Sequence, residues 1–370
     1  MLKNLATFIN KGTTRVDKLT FLVLLLFFGS FARVFVVILN KEFGVYGGIE
    51  KRFLSDRLIF KSTIRIDKNQ NFKLLPSPAG SVIYKANENH TFRSTFSSAI
   101  RNPTLLNQYM YYNVGRAILI GNINGYDSLV TIESLRNFAY SQNPDTLNYF
   151  NLNPIQPEKV KSIEFGYRGI IKNKLYIDAS YYYSWYRDFI GYKNGIDFWI
   201  DTVLYRPRGI QAYRIATNSS EQITTQGFAI GVNYYIGKYF AFNGNYSWNK
   251  LNKQSEDPII PAYNTPEHKF NIGFSGRDIK IDDLNIKGLG FNVNYKWIEG
   301  FIFEGSPQFT GFVPTYSLLD IQINKKIPKY NLTAKLGASN ALNNKVIQVY
   351  GGPYVGRMIY FSLLFDWENK

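Results

Sequence analysis

The stretch YFAFNGNYSW, residues 239–248, alternates. Phe240, Phe242, Tyr246 and Trp248 fall on one side of an extended chain, and Ala241, Asn243, Asn245 and Ser247 on the other. The same period of two sets Phe228, Ile230, Val232, Tyr234 and Ile236 against Gly227, Ala229, Gly231 and Asn233, and Phe291, Val293, Tyr295 and Trp297 against Asn292, Asn294 and Lys296. Near the C-terminus, Ile359, Phe361, Leu363, Phe365 and Trp367 share a side. Read along the chain, this pattern predicts about thirteen strands: 43–53, 57–67, 80–86, 90–99, 159–170, 174–189, 225–236, 239–250, 266–276, 286–298, 315–326, 330–339 and 356–367. In a soluble sandwich the bulky side packs a dry core, whereas in a membrane barrel it faces lipid. Alternation alone leaves both readings open.

The connections separate them. Short links at 54–56, 86–88, 171–173, 237–238 and 328–329 take turns with long ones at 68–79, 100–158, 190–224, 251–265, 299–314 and 340–355, and the link at 277–285 is intermediate. In an up-and-down meander every second connection emerges at the same end, so the long loops crowd one rim and the tight turns the other, as in outer-membrane barrels. A Greek-key sandwich mixes loop lengths between its ends. The expected fold is therefore all-β, an antiparallel up-and-down transmembrane β-barrel. Its aromatic side faces lipid, with Tyr and Trp at the interfaces, and its Asn, Ser, Gly and Lys side faces a wet lumen. With about 13–14 strands, the first and last of which both descend, such a wall is incomplete.

Residues 1–40 read differently. Lys11, Arg15 and Lys18 precede an apolar run from Leu19 to Phe28, and Ser30 and Ala32 occupy small-residue positions of a secretory cleavage site. Apolar residues resume from Val34 to Leu39 beyond Arg33, so an uncleaved membrane anchor, compatible with a helix, or a non-native start also fits. The expected organisation is this segment followed by a barrel domain over 41–370.

Composition adds exclusions. The 28 Tyr and 29 Phe favour strands. The absence of Cys rules out a disulfide framework, a thiolate metal site and a cysteine nucleophile. The net charge of +16 admits an anionic partner, either nucleic acid or a lipopolysaccharide-type membrane surface. The cations are scattered through turns such as KNK at 172–174 rather than gathered in a stripe, which argues against nucleic acid.

Four segments, in order, resemble the C-terminal part of the barrel of TonB-dependent outer-membrane receptors, in particular the large nutrient-uptake type of Bacteroidetes-like bacteria. HTFRSTFSSAIRNPTLLNQY (90–109) looks like the family's strand ending in Arg-x-Pro, through Arg101, Asn102 and Pro103. LNPIQPEKVKSIEFGYRG (152–169) is similar to its strand start, through Pro157, Glu158, Ser162, Glu164, Gly166 and Tyr167. NTPEHKFNIG (264–273) and NALNNKVIQVYGGPYVGRMIYFSLLFDW (340–367) resemble its late hairpin and terminal strand. The resemblance implies the bacterial outer membrane and uptake of a carbohydrate, peptide or metal chelate. It also implies partners: outer-membrane lipid, the barrel assembly machinery and, in the full-length family, the TonB complex and a surface lipoprotein. The family's plug has no counterpart in these residues, so a plug-less, truncated receptor is expected. The alternatives are a passive porin-like barrel and a soluble or surface-attached β adhesin.

No catalytic constellation, cofactor site or metal site emerges. His90 and His268 lack partners spaced for zinc, and GGPYVG (351–356) lacks the Lys-Ser/Thr of a phosphate loop. Glu158 and Glu164 lie ~20 Å apart along a strand, too far to share one bond. The Asn218-Ser219-Ser220 triplet carries no weight in a bacterial host. The candidate ligand-binding residues are Tyr109, Tyr111, Tyr112, Trp199 and Arg206, carried on the two longest loops, where they could stack on and hydrogen-bond a sugar or peptide.

Overall fold

The computed structural model describes residues 38–115, 117–201, 203–252, 263–281, 286–304 and 310–366. Nearly all of the signal-like segment, and Trp367, lie outside the described residues. In chain order the strands are β1 (Glu42–Phe53), β2 (Leu58–Asn69), β3 (Leu75–Asn87), β4 (His90–Arg101), β5 (Tyr111–Asn113), β6 (Ile118–Ile120), β7 (Tyr126–Val130), β8 (Tyr149–Leu152), β9 (Glu158–Ile171), β10 (Leu175–Arg187) and β11 (Ile190–Asp201). They continue with β12 (Arg206–Asn218), β13 (Ile223–Ile236), β14 (Phe240–Asn252), β15 (His268–Ile281), β16 (Ile286–Ile298), β17 (Phe301–Glu304), β18 (Thr310–Val313), β19 (Tyr316–Ile327), β20 (Leu332–Ser339) and β21 (Met358–Phe365). Helices α1 (Leu105–Tyr109) and α2 (Ile132–Ser141) lie between β4 and β8.

Thirteen of these strands form one sheet in the order β1-β2-β3-β4-β9-β10-β13-β14-β15-β16-β19-β20-β21, with every neighbouring pair antiparallel. These are the thirteen expected strands. Register carries the alternation sideways. Ile171, Leu175, Tyr234, Phe242, Phe274, Val293, Ile321, Ala338 and Ile359 oppose one another in succession from β9 to β21, so the apolar side is a single continuous face. The other face is polar: Asp178, Gly231, Asn245, Asn271 and Lys296 form one of its rows. On it, Arg93 reaches Glu164 at 3.4 Å and Asp178 at 3.1 Å, and Arg168 holds the second oxygen of Asp178 at 2.8 Å. The site opposite Arg93 must be small, because a Cβ at Gly166 would fall 2.3 Å from the guanidinium Nε.

The structure sharpens the alternation of connections. β15 continues past a bulge to Ile281 and β16 begins at Ile286, so the intermediate link joins the short set. The expected long loop at 68–79 shrinks to residues 70–74, because β3 begins at Leu75, before two prolines. Pro76 and Pro78 are tolerated there because pairing of β3 with β4 stops at Ala79 opposite Ser97. The missing N–H groups lie where no ladder bond on that side is required.

β1 and β21 each pair with a single neighbour, and no pairing joins them among the described residues. After thirteen antiparallel strands they run in the same direction, so they cannot pair antiparallel with each other. No described helix is long and apolar enough to cross a membrane.

Candidate ligand-recognition site

The two longest expected loops are not loops. Residues between β4 and β9, and between β10 and β13, fold together into a second sheet, β5-β6-β12-β11-β7-β8, at the end of the wall that carries the long connections. We call it the cap. It curls so that its flanks approach. Asn122, just after β6, donates to the Asn153 carbonyl at 2.8 Å and accepts from the Ile155 N–H at 2.8 Å, just after β8. Ile118, Ile120, Leu129, Leu152 and Ile215 fill the inside of the curl. Helix α2, capped by Thr131, covers the other side through Leu135 and Phe138 against Val130 and Ile196.

A buried carboxylate fixes the cap to the wall. Glu158, opposite Arg101 in the β4–β9 ladder, accepts from the Arg101 guanidinium at 2.5 Å and from the Ile190 N–H at 3.3 Å, tying the ends of three strands. Asn71 adds a second tie by donating to Gln108 at 2.7 Å and to the Tyr109 hydroxyl at 2.6 Å. The two carboxylates noted in the sequence are thus both structural, Glu158 bound to Arg101 and Glu164 to Arg93. The two histidines are likewise bonded across strands, His90 to Tyr167 and His268 to Tyr246, each at 2.8 Å. Among the described residues no three His, Asp or Glu side chains converge on a metal-sized site.

All five expected ligand-binding residues lie in the cap, but in three places. Tyr109 ends α1 and borders a cleft of about 290 Å³, which Gln108, Met110, Gly121, Asn124 and Tyr126 also line. Burial pushes the Tyr126 hydroxyl above the usual phenol range, and it donates to the Gly121 carbonyl. Tyr111 and Tyr112 stand exposed on β5, an edge strand of the cap sheet. Trp199 and Arg206 belong to the outer half of the β11–β12 hairpin, where Trp199 opposes Arg208 and Asp201 opposes Arg206. β6 meets β12 at Tyr213–Ile215, at least five residues from Arg208 along the strand, ~17 Å away. Trp199 and the β5 tyrosines therefore do not share one contact surface.

The sequence reading missed Asp201 and Arg208. Asp201 accepts from the N–H groups of Leu204 and Val203, which hold its carboxyl below the ordinary range, and Arg208 adds to this at 3.6 Å. Gly209 is required beside them. Its φ is +61°, and a Cβ there would meet the Trp199 indole nitrogen at 2.5 Å. RPRG at 206–209 was the available signal, a glycine beside two arginines at a hairpin turn.

The family described as "TonB dependent receptor-like, beta-barrel" matches residues 30–341, and the chain belongs to it. That family resides in the bacterial outer membrane, and its members are receptors and transporters rather than enzymes. No sequence among the curated proteins matches. Solved structures sharing the fold include the FrpB iron transporter from Neisseria meningitidis (F3-3 variant; 14 % identity, TM-score 0.59, 88 % of this chain and 45 % of that one). The siderophore receptor PirA from Acinetobacter baumannii (16 %, 0.56, 88 % and 45 %) and the copper transporter OprC (14 %, 0.59, 88 % and 48 %) are similar to the same extent. The chain spans less than half the length of these structures.

Proposed function

We propose that the chain forms part of the wall, and the ligand-recognising cap, of a TonB-dependent nutrient-uptake receptor. The observation that carries this reading is the pairing of one apolar face with one polar face, in continuous register over the nine strands from β9 to β21 of the thirteen-stranded wall. The apolar face stands exposed rather than under a packed layer, as at Phe165, Phe242 and Phe361, and a membrane with a wet lumen satisfies both faces at once. The open edges of β1 and β21 support a wall completed by further strands. Their number is odd, since both edges run the same way and every pair within the wall is antiparallel. Backbone groups left open in hydrocarbon cost several kcal/mol each, so completion is an energetic requirement. The cargo we assign is a carbohydrate, peptide or metal chelate, met first on the cap at separate contacts: Tyr109 beside the cleft, Tyr111 and Tyr112 on β5, or Trp199 and Arg206 on the β11–β12 hairpin. Energy comes through the TonB complex, insertion through the barrel assembly machinery, and a surface lipoprotein is a partner in capture.

The test starts from the full chain expressed with an outer-membrane export signal. The chain is expected in the urea-washed outer-membrane fraction, and recovery in the soluble fraction overturns the membrane reading. Alone it is expected to give no stable conductance in planar bilayers. A steady unitary pore would establish the passive-barrel alternative instead. Titration with maltoheptaose, a hexapeptide and a ferric catecholate chelate, followed by Trp fluorescence, tests recognition. Binding of one probe that weakens at least tenfold in Trp199→Ala is expected, and binding unchanged in that variant removes Trp199 from the site.

A further inference from the structure

The apolar face of the wall is not apolar to its upper limit. On β9 the residues sharing the side of Phe165 and Ile163 are, toward the cap end, Lys161 and Lys159. On β10 the residues sharing the side of Tyr181 are Tyr183, Trp185 and Arg187. Register sets Lys161 opposite Trp185 and Lys159 opposite Arg187, and all three cations are exposed. Two cations facing each other on adjacent strands repel, and such a pair is destabilising unless an anion lies between them. Asp188 meets Lys159 at 2.8 Å and Arg187 donates to the Gln222 side-chain oxygen at 3.2 Å, while Lys161 makes no ion pair with any described carboxylate. Three cations thus face one carboxylate. Lys250, on β14 and on the same side, adds a fourth, ~14 Å away across three strand spacings.

Aromatic rings adjoin these cations. Trp185 shares the rung of Lys161, Tyr183 lies one same-side step nearer the apolar band, and their ring centres stand 4.8 Å apart. The next same-side rung runs through Phe165, Tyr181, Phe228 and Trp248 into the apolar band. Along one set of strands the face therefore changes from apolar to aromatic to cationic, in the order in which a bilayer changes from hydrocarbon to interface to headgroup phosphate.

We propose that Lys159, Lys161 and Arg187 form a binding site for the phosphate groups of an outer-leaflet lipid, with Trp185 and Tyr183 packing against the lipid below its headgroup. The proposal rests on the outward orientation of the apolar face, which the membrane fractionation above tests separately. A headgroup phosphate between Lys159 and Arg187 removes the like-charge repulsion and gives Lys161 a counter-ion. It also accounts for part of the +16 charge that no nucleic-acid stripe explains.

The test uses the full chain purified from the outer-membrane fraction into detergent and mixed with dioleoyl phosphatidic acid or dioleoyl phosphatidylcholine. Native mass spectrometry counts the lipids retained. Phosphatidic acid is expected to be retained at least tenfold over phosphatidylcholine, and equal retention overturns the proposal in the unmodified chain, with no variant needed. Lys161→Gln with Arg187→Gln is expected to lower retention at least fivefold, and Lys161→Arg to preserve it. Lys172→Gln with Lys174→Gln, in the turn at the opposite end of the same strands, is expected to leave it unchanged. Equal loss from the two double variants means general charge attraction and overturns the site. Inorganic phosphate at 10-fold excess over lipid, as a competitor, is expected not to displace the lipid, and displacement would reassign the cluster to a free anion.

Discussion

The wall and the cap use the same residue types for opposite ends. In the wall Phe165, Phe361 and Ile359 are 57 %, 65 % and 67 % exposed, while in the cap Phe138, Val130 and Ile215 are each 0 % exposed. The wall's large apolar side chains stand outward over many strands, whereas those of the cap close on themselves within a curled sheet and under one helix. The difference shows that period-two alternation locates a strand's two faces without saying which solvent each one meets. In the wall, connectivity and the charged opposite face decide it. In the cap, the curl of the sheet does.

The strongest way to break this comparison is to hollow the cap. Phe138→Ala removes a fully buried ring and is expected to cost ~3–5 kcal/mol of cap stability. Protease cleavage between residues 102 and 157 should rise while the chain stays in the membrane fraction, and loss of membrane retention would mean that cap and wall fold as one unit. Placing a charge at the centre of β9, Phe165→Arg, is expected to cost ~2–4 kcal/mol in a bilayer. Urea titration in lipid vesicles reads it, and a cost near zero would place that face in water. Glu158→Gln loosens the tie between the two regions by ~1–3 kcal/mol, since the Arg101 guanidinium and the Ile190 N–H lose their charged acceptor. Hydrogen exchange should quicken around residues 188–192 and not in the cap core.

Smallest is the effect of acid on the hairpin tip. The Asp201 carboxyl titrates below its unfolded value, so its contribution is complete above pH ~4 and disappears as the pH falls through the depressed folded value. Faster exchange of the Val203 and Leu204 amides below pH ~4, with α2 unchanged, is the expected result.

Local pattern was enough for the wall. A strand needs only alternating side chains and a turn, so Phe240 to Trp248 declared their shared face, and the tight turns at 171–173 and 237–238 set the order of pairing. Residues 75–79 lay outside the expected strands, yet Pro76 and Pro78 fit the ladder, because a proline is excluded only on a bonded side, and which side is bonded depends on where a neighbouring strand stops. The cap was illegible for a related reason. Its strands are as short as Ile118–Ile120 and Tyr111–Asn113, too brief to show a period, and Ile118–Ile120 takes one partner, β12, from the other long connection.

The sequence by itself determined that this chain makes long antiparallel strands with one bulky and one polar side, ordered as a meander with uneven ends. That information is written residue by residue, in side-chain size and turn chemistry. Only the tertiary structure decided that the two longest connections pair with each other and that Glu158 locks their base. Those facts depend on register between strands far apart in the chain, and register is settled by the whole sheet at once.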